Sequence, residues 1–394
     1  MRAALVALRL VRFRNYVDAD IALDGRPVVL FGANGSGKTN LLEAVSLLAP
    51  GRGMRRASVE EIARRGVLPT DDVFPGDLDP VRGMGDAWAI SADIAAESGV
   101  IRAGVGQDPQ HPSRKIVRLD GAAASQSDLG RLVRVTWLTP AQDRVFAGPR
   151  GERLKFFDRL VLALRPEHGT AAARYEKAMR ERGRLLDEGR FDPAWLDGLE
   201  AEMAARGVAL AAARADLLDR LQAAVDERPD GAFPKADFTL GGDGSGGLEA
   251  RVRAGEEIGL IETDFRDALA VARRRDAAAG RALIGPHRTD FAAALRAKAM
   301  PAGDCSTGEQ KALLVGLALA HARALVAERG GALPLLLLDE AVAHLDKARR
   351  AALTEELLAL DAQSWLTGTD RELFSDFGDR AQMFAVSEGR AEEA

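Results

Sequence analysis

Pro27-Val-Val-Leu-Phe-Gly-Ala-Asn-Gly-Ser-Gly-Lys-Thr-Asn-Leu-Leu-Glu43 is the stretch whose reading decides the fold. Val28 to Phe31 is a short, wholly apolar run, the composition of a strand buried on both faces. Gly32, Gly35 and Gly37 punctuate the backbone, and Lys38 and Thr39 open an apolar helical segment through Leu48. Strand, glycine loop and helix give the context that the P-loop pattern G-x-x-x-x-G-K-[ST] requires. Glycines let successive backbone N–H groups curl around a phosphate, and the helix start adds its positive dipole end. Gly32, Asn34, Gly35, Ser36, Gly37, Lys38, Thr39 and Asn40 are therefore the expected nucleotide contacts. Lys38 supplies a point charge to the β- and γ-phosphates, and the Thr39 hydroxyl is a Mg²⁺ ligand.

A second element fits the first. Leu335 to Leu338 followed by Asp339-Glu340 reads as an apolar strand delivering two carboxylates to the C-terminal edge of a parallel sheet, where ligands bind in such folds. Asp339 would hold Mg²⁺ through water, and Glu340 would orient or deprotonate the attacking water. Ser306-Thr-Gly-Glu-Gln310 lies about 30 residues upstream and opens a long apolar helix, Ala312 to Ala327. Ser306 with Glu309 three residues on is a capping box, and a capped helix start that presents hydroxyl and N–H groups also binds phosphate.

Working outward, Leu5 to Val11 and Asp20 to Leu23 read as strands, with Asp24-Gly25 a hairpin turn into the P-loop strand. A basic loop, Pro50 to Arg56, precedes a short helix over Val59 to Arg64, and residues 66–85 have loop composition. Strands are expected over Trp88 to Ala95, Ile101 to Gly106, Ile116 to Leu119 and Leu132 to Leu138. From 150 to 280 the chain is rich in Ala, Leu, Arg and Glu at helical spacing, with one hairpin expected from Phe238 to Leu240 and Leu248 to Val252. Breaks at Asp192-Pro193 and Gly207 argue for a compact helical subdomain without a long coiled coil. The expected division is thus 1–149, a β-rich part of a nucleotide head; 150–280, mainly helical; and 281–394, the rest of the head. Ser387 to Ala394 is expected to fray.

Composition narrows the class. The 394 residues are 47% hydrophobic and 29% charged, a globular profile with no run near the ~20 apolar residues of a membrane span. One cysteine, Cys305, and five histidines supply no structural zinc spacing, and a lone cysteine fits a reducing, cytoplasmic location. Net charge is −5, so the whole chain is not a polybasic DNA binder, yet arginine clusters such as Arg52, Arg55 and Arg56 are candidate DNA contacts.

Phe13-Arg-Asn-Tyr16, the P-loop, Gly51-Arg-Gly53, Gly285-Pro-His-Arg288, Ser306 to Lys311, Leu338-Asp-Glu340 with His344-Leu-Asp346, and Thr367-Gly-Thr-Asp370 stand in an order that resembles the RecF family, bacterial recombination mediators of the SMC-like ABC ATPases. The resemblance covers nearly the whole chain. It implies an α/β, ABC-type P-loop ATPase head with an inserted helical subdomain and no long coiled coil. It also implies an ATP-dependent homodimer in which Ser306, Thr307, Gly308, Glu309 and Gln310 meet the partner's nucleotide in trans, with Asp346 in the dimer-contacting loop. Arg14 and Asn15 would reach the nucleotide or else pack the hairpin, and Gln142 would contact Mg²⁺ or else hold the chain after Pro140. The implied partners are double-stranded or gapped DNA, RecR and RecO, with RecA loaded onto single strands during recombinational repair, replication restart and the SOS response; the implied location is cytoplasmic and nucleoid-associated, away from membranes. Departures are Thr307 where the family has Ser, Glu309 in place of a transporter's second signature glycine, and no histidine in the switch segment Thr367 to Asp370. The last suggests slow ATP hydrolysis, a weak DNA-stimulated ATPase acting as a timing switch. An ABC transporter ATPase subunit is the alternative, disfavoured by the helical insert; a nuclease fusion would need a further acidic metal-binding domain that is not expected here.

Overall fold

The structure, a computed structural model, describes residues 3–63, 87–97, 99–189, 192–328, 330, 332–343 and 345–394. The loop expected over 66–85 and His344 lie outside those residues. The chain divides into two compact units, one formed by Met1–Gln142, Gly231–Phe233 and Ala318–Ala394, the other by Asp143–Asp230 and Pro234–Leu317.

The first unit holds two six-stranded sheets. In the central one the strands run in the order Arg390–Glu393, Gln382–Ser387, Val28–Phe31, Gln363–Gly368, Leu333–Leu338 and Val133–Leu138. All neighbours are parallel except the first pair. Strands that are buried on both faces must be apolar throughout, which is why Leu333–Leu338 is buried at every position. Each fully buried leucine of that kind contributes about 1.5–3 kcal/mol. The other sheet is an antiparallel meander that begins with Tyr16–Ala22, Ala4–Phe13, Ala89–Ala96 and Gly99–Gln107. Phe13, Trp88, Trp137 and Trp365 belong to one large hydrophobic core in this unit.

Three expectations are corrected here. Asp24-Gly25 is not a hairpin turn: Tyr16–Ala22 pairs with Ala4–Phe13, whereas Val28–Phe31 lies in the central sheet, so this link carries the chain between sheets. Residues 387–394 do not fray, because Glu388 and Gly389 both take positive φ (48° and 75°), the geometry of a tight hairpin turn. That turn folds Arg390–Glu393 back onto Gln382–Ser387. Leu248–Arg253 is a helix rather than a hairpin strand. Leu248, Ala250 and Val252 alternate as a strand would, but Leu248 and Val252 also stand four apart and pack together into the helical core.

The second unit is built on the helices Arg150–Leu164, His168–Asp187, Pro193–Glu227 and Ile258–Ala279. It extends past residue 280, the boundary expected from the sequence, because strand Ala236–Gly241 pairs antiparallel with Asp290–Leu295. Phe291 of that sheet stacks on Phe157 and Phe238, with ring centroids 4.5 and 5.9 Å away. Inside the bundle Arg182 is buried, donating to Glu200 (2.8 Å), Asp276 (2.7 Å) and the Leu269 carbonyl (2.8 Å). A buried guanidinium so completely paired fixes one register of the three helices that meet on it. The Thr307–Ala327 helix is long and apolar enough in composition to cross a membrane, yet it is mostly buried inside the protein as a core helix.

Candidate nucleotide-binding and hydrolysis site

The parallel sheet brings three chain-distant segments to one edge. Val28–Phe31 lies beside Gln363–Gly368, which lies beside Leu333–Leu338, so Lys38 and Thr39, Thr367, and Asp339 are neighbours. Gly37 caps the P-loop helix at φ 118°. A Cβ there would lie 2.6 Å from Asn15 Nδ2 and 2.8 Å from the Tyr16 hydroxyl, so only glycine fits. Tyr16 donates to the Gly37 carbonyl (3.1 Å), Asn15 donates to the Ser36 carbonyl (3.1 Å), and Asn40 donates to Asn15 Oδ1 (2.6 Å). Gly389, in the turn of the last hairpin, donates its N–H to the same Ser36 carbonyl at 3.4 Å. The loop is thus held rigid from three sides before any phosphate arrives, which lowers the ordering cost of binding.

Lys38 is buried and donates to the Gly32 and Ala33 carbonyls at 2.6 and 2.8 Å. Burial holds its ammonium below the usual lysine range, against the pull of Glu340 and Asp339. The Thr39 hydroxyl donates to Asp339 Oδ1 at 3.0 Å, and the Thr367 hydroxyl donates to the same oxygen at 2.8 Å. Burial pushes the Asp339 carboxyl up; the two hydroxyl bonds counter it. Thr39 and Asp339 together form a hard, oxygen-only donor pair, and Mg²⁺ in phosphate sites needs only one or two such protein ligands. Among the described residues no group of three or more His, Cys, Asp or Glu side chains suits a metal. Glu340 follows with φ 52°, left-handed for a non-glycine residue.

Arg14 does not stand free beside the P-loop. It forms a two-pronged bond to Glu43, Nε to Oε2 at 2.8 Å and Nη2 to Oε1 at 2.5 Å, and donates to the Glu61 carbonyl at 2.8 Å. Arg55 donates to the same Glu43 (3.2 Å) and to Asn40 Oδ1 (2.6 Å). Arg14, Asn15, Asn40, Arg55, Arg56 and Glu61 line an open polar groove. The grouping of Arg52, Arg55 and Arg56 as DNA contacts did not foresee this: all three are exposed, but Arg55 is engaged with the P-loop helix. Glu43 was missed altogether, although one acid inside the apolar run Leu41 to Leu48 was the available signal.

Gln142 lies one turn beyond Val133–Leu138, its amide oxygen accepting from the Thr139 N–H at 2.8 Å. Asp346 caps the helix Lys347–Ala359 by accepting from the Arg349 N–H at 2.8 Å. In the second unit, Ser306 completes its capping box: Glu309 N–H donates to Ser306 Oγ (3.3 Å), and Ser306 N–H donates to Glu309 Oε2 (3.0 Å). Lys298 and that box hold the Glu309 carboxyl down at about 2. Ser306, Thr307 and Gly308 are exposed, whereas Gln310 is buried and donates to the Cys305 and Gly303 carbonyls. His287 fixes a turn, bonded to the Tyr175 hydroxyl (2.9 Å) and the Ala282 carbonyl (3.1 Å).

A phosphate cradle and a strand-borne acidic pair on the parallel sheet, with a serine-capped helix start in the second unit, are the parts of an ABC-type head of the SMC-like ATPase class. The model of the RecF/RecN/SMC N terminal domain family matches residues 4–392. The DNA replication and repair protein RecF of Rhizobium johnstonii is 47% identical over 394 residues, covering 100% of this chain and 99% of that protein. Its counterpart from Mesorhizobium japonicum is 49% identical over 385 residues, covering 97% and 96%. The chain belongs to the RecF family. Among solved structures, that of the recombination mediator protein RecF-ATPrS in the RecFOR pathway superposes with a TM-score of 0.79 at 20% identity, covering 100% of this chain and 98% of that one. The Smc head domain from Pyrococcus furiosus superposes at 0.52 with 14% identity, over 100% of this chain and 96% of that one. These two likenesses bear on fold alone.

Proposed function

We propose that this protein is an ATP-driven DNA clamp of recombinational repair. Two copies close head to tail on duplex or gapped DNA when ATP binds, and slow hydrolysis reopens them. The related proteins carry the repair role in their name, and RecF in the RecFOR pathway has been seen with ATP and its analogue; by that kinship the chain works with RecR and RecO in placing RecA on single strands. In this reading Lys38 leaves the Gly32 and Ala33 carbonyls for the β- and γ-phosphates. Asn15 and Arg14 border the nucleotide, and Arg55 joins them. Thr39 and Asp339, with Gln142 completing the shell, would hold Mg²⁺, which neutralises phosphate charge when bound. Glu340 orients and deprotonates the attacking water.

The observation that carries the dimer is the helix start at Ser306, Thr307 and Gly308: fully capped, exposed, and open to a ligand that arrives from outside the chain. Asp346, exposed at its own helix start, joins that contact. DNA is held through phosphates by arginines such as Arg52 and Arg56, so affinity falls steeply with salt. The test is size-exclusion chromatography with ATP on Glu340→Gln and on the double variant with Ser306→Arg. Glu340→Gln accumulates dimer. Adding Ser306→Arg returns it to monomer while nucleotide binding persists; loss of binding to the monomer would refute contact in trans.

A further inference from the structure

Switch segments of transporter-type heads carry a histidine, and this one carries none; Thr367, fully buried on the strand Gln363–Gly368, meets the Asp339 carboxylate and the Glu340 backbone. Its hydroxyl does two jobs at once. It donates to Asp339 Oδ1 at 2.8 Å and accepts the backbone N–H of Glu340 at 2.8 Å. Glu340 is held in a left-handed conformation, φ 52°, a state unfavourable for a non-glycine residue that persists only when its surroundings enforce it. The chain is held on both sides of Asp339: the Asp339 N–H donates to the Leu138 carbonyl (2.9 Å), and the following peptide is held by its Glu340 N–H on Thr367. Without the hydroxyl, the Glu340 N–H loses its acceptor and the Glu340 backbone can relax to negative φ. That swings the direction in which the Glu340 side chain leaves the chain.

We infer that Thr367 is a positioning residue for hydrolysis, holding Glu340 in its left-handed turn while orienting Asp339. The inference rests on the assignment of Glu340 as general base. No proton passes through Thr367: its hydrogen stays on its own oxygen, donated to Asp339, and water gives its proton to Glu340 as its oxygen bonds to the γ-phosphorus and the bond to the β-bridging oxygen breaks.

The experiment measures ATP affinity and single-turnover hydrolysis of the full chain for Thr367→Val, Thr367→Ser, Glu340→Gln and Thr367→Val/Glu340→Gln. Thr367→Val keeps shape and loses both bonds; Thr367→Ala replaces it should the valine variant fail to fold. The expected result is a fall in hydrolysis of about tenfold or more, since misplacing a reacting group by ~1 Å costs on the order of 100-fold, with ATP affinity changed less than about threefold. Thr367→Ser recovers the rate to within about threefold, and Thr367→Val adds no loss to Glu340→Gln. An unchanged rate in Thr367→Val, affinity falling in step with rate, failure of the serine rescue, or full loss on the Glu340→Gln background overturns the inference. Normal hydrolysis by Glu340→Gln would instead overturn the assignment of the base, and this inference with it.

Discussion

Replacing Glu43 by glutamine keeps its shape and removes a charge on which two arginines depend. Glu43 is fully buried, the Arg14 side chain is 18% exposed and the Arg55 side chain 41% exposed. Breaking a buried ion pair from one side costs about 3–5 kcal/mol, because the surviving charge keeps its desolvation penalty. Glutamine still accepts one of the Arg14 bonds, and Arg55 can turn to water, so the expected loss lies nearer ~2–3 kcal/mol, the worth of a hydrogen bond to a charged group. Arg14→Met strands Glu43 with only the half-exposed Arg55, and a similar loss follows. If the two act as one unit the double variant loses far less than the sum, with a coupling of ~2 kcal/mol. Three of the four tryptophans, Trp88, Trp137 and Trp365, sit in the first unit's core, so urea unfolding followed by fluorescence reads that unit. A Glu43→Gln midpoint equivalent to less than ~0.5 kcal/mol, the range of an ordinary surface change, would refute the buried-clamp reasoning.

Lys38→Ala removes the one ammonium seated in the P-loop and is expected to abolish ATP-dependent dimerisation, checked by light scattering; normal dimerisation would contradict its phosphate role. Lys115 donates to the Gly51 carbonyl at 2.6 Å, and burial pulls its ammonium down to about 8 from 10.5. Between those two values the unfolded chain carries a proton that the folded chain lacks, so this group adds stability as pH rises through that window. Lys115→Met therefore flattens the rise of melting temperature with pH above 8; an unchanged slope would remove the group from account.

Much of the site was legible because its chemistry is local. Gly37, Lys38 and Thr39 are consecutive, and six apolar residues before Asp339 leave a buried strand as the natural fold. Ser306 and Glu309 announce a helix start by spacing alone. What stayed hidden depends on partners far away in the chain. Glu43 reads as one more helix residue until Arg14 and Arg55 close on it, and Thr367 reads as strand until Asp339 and Glu340 arrive beside it. Leu248–Arg253 misled because six residues with alternating apolar positions satisfy both periods, and only packing into the helical core settles the choice. The tail misled for the opposite reason: its polar strand gains order from a neighbour, Gln382–Ser387, and not from its own composition.

That neighbour has a consequence for how the protein is made. Gln382–Ser387 is the strand that flanks Val28–Phe31, and the turn after it braces Ser36, while Asp24 donates its N–H to Gln382 across 358 positions of sequence. A ribosome adding roughly 5–20 residues each second exposes the glycine loop long before it delivers those braces. The glycine loop of a nascent chain therefore lacks its flanking strand and its Ser36 contact until residues 382–389 have emerged.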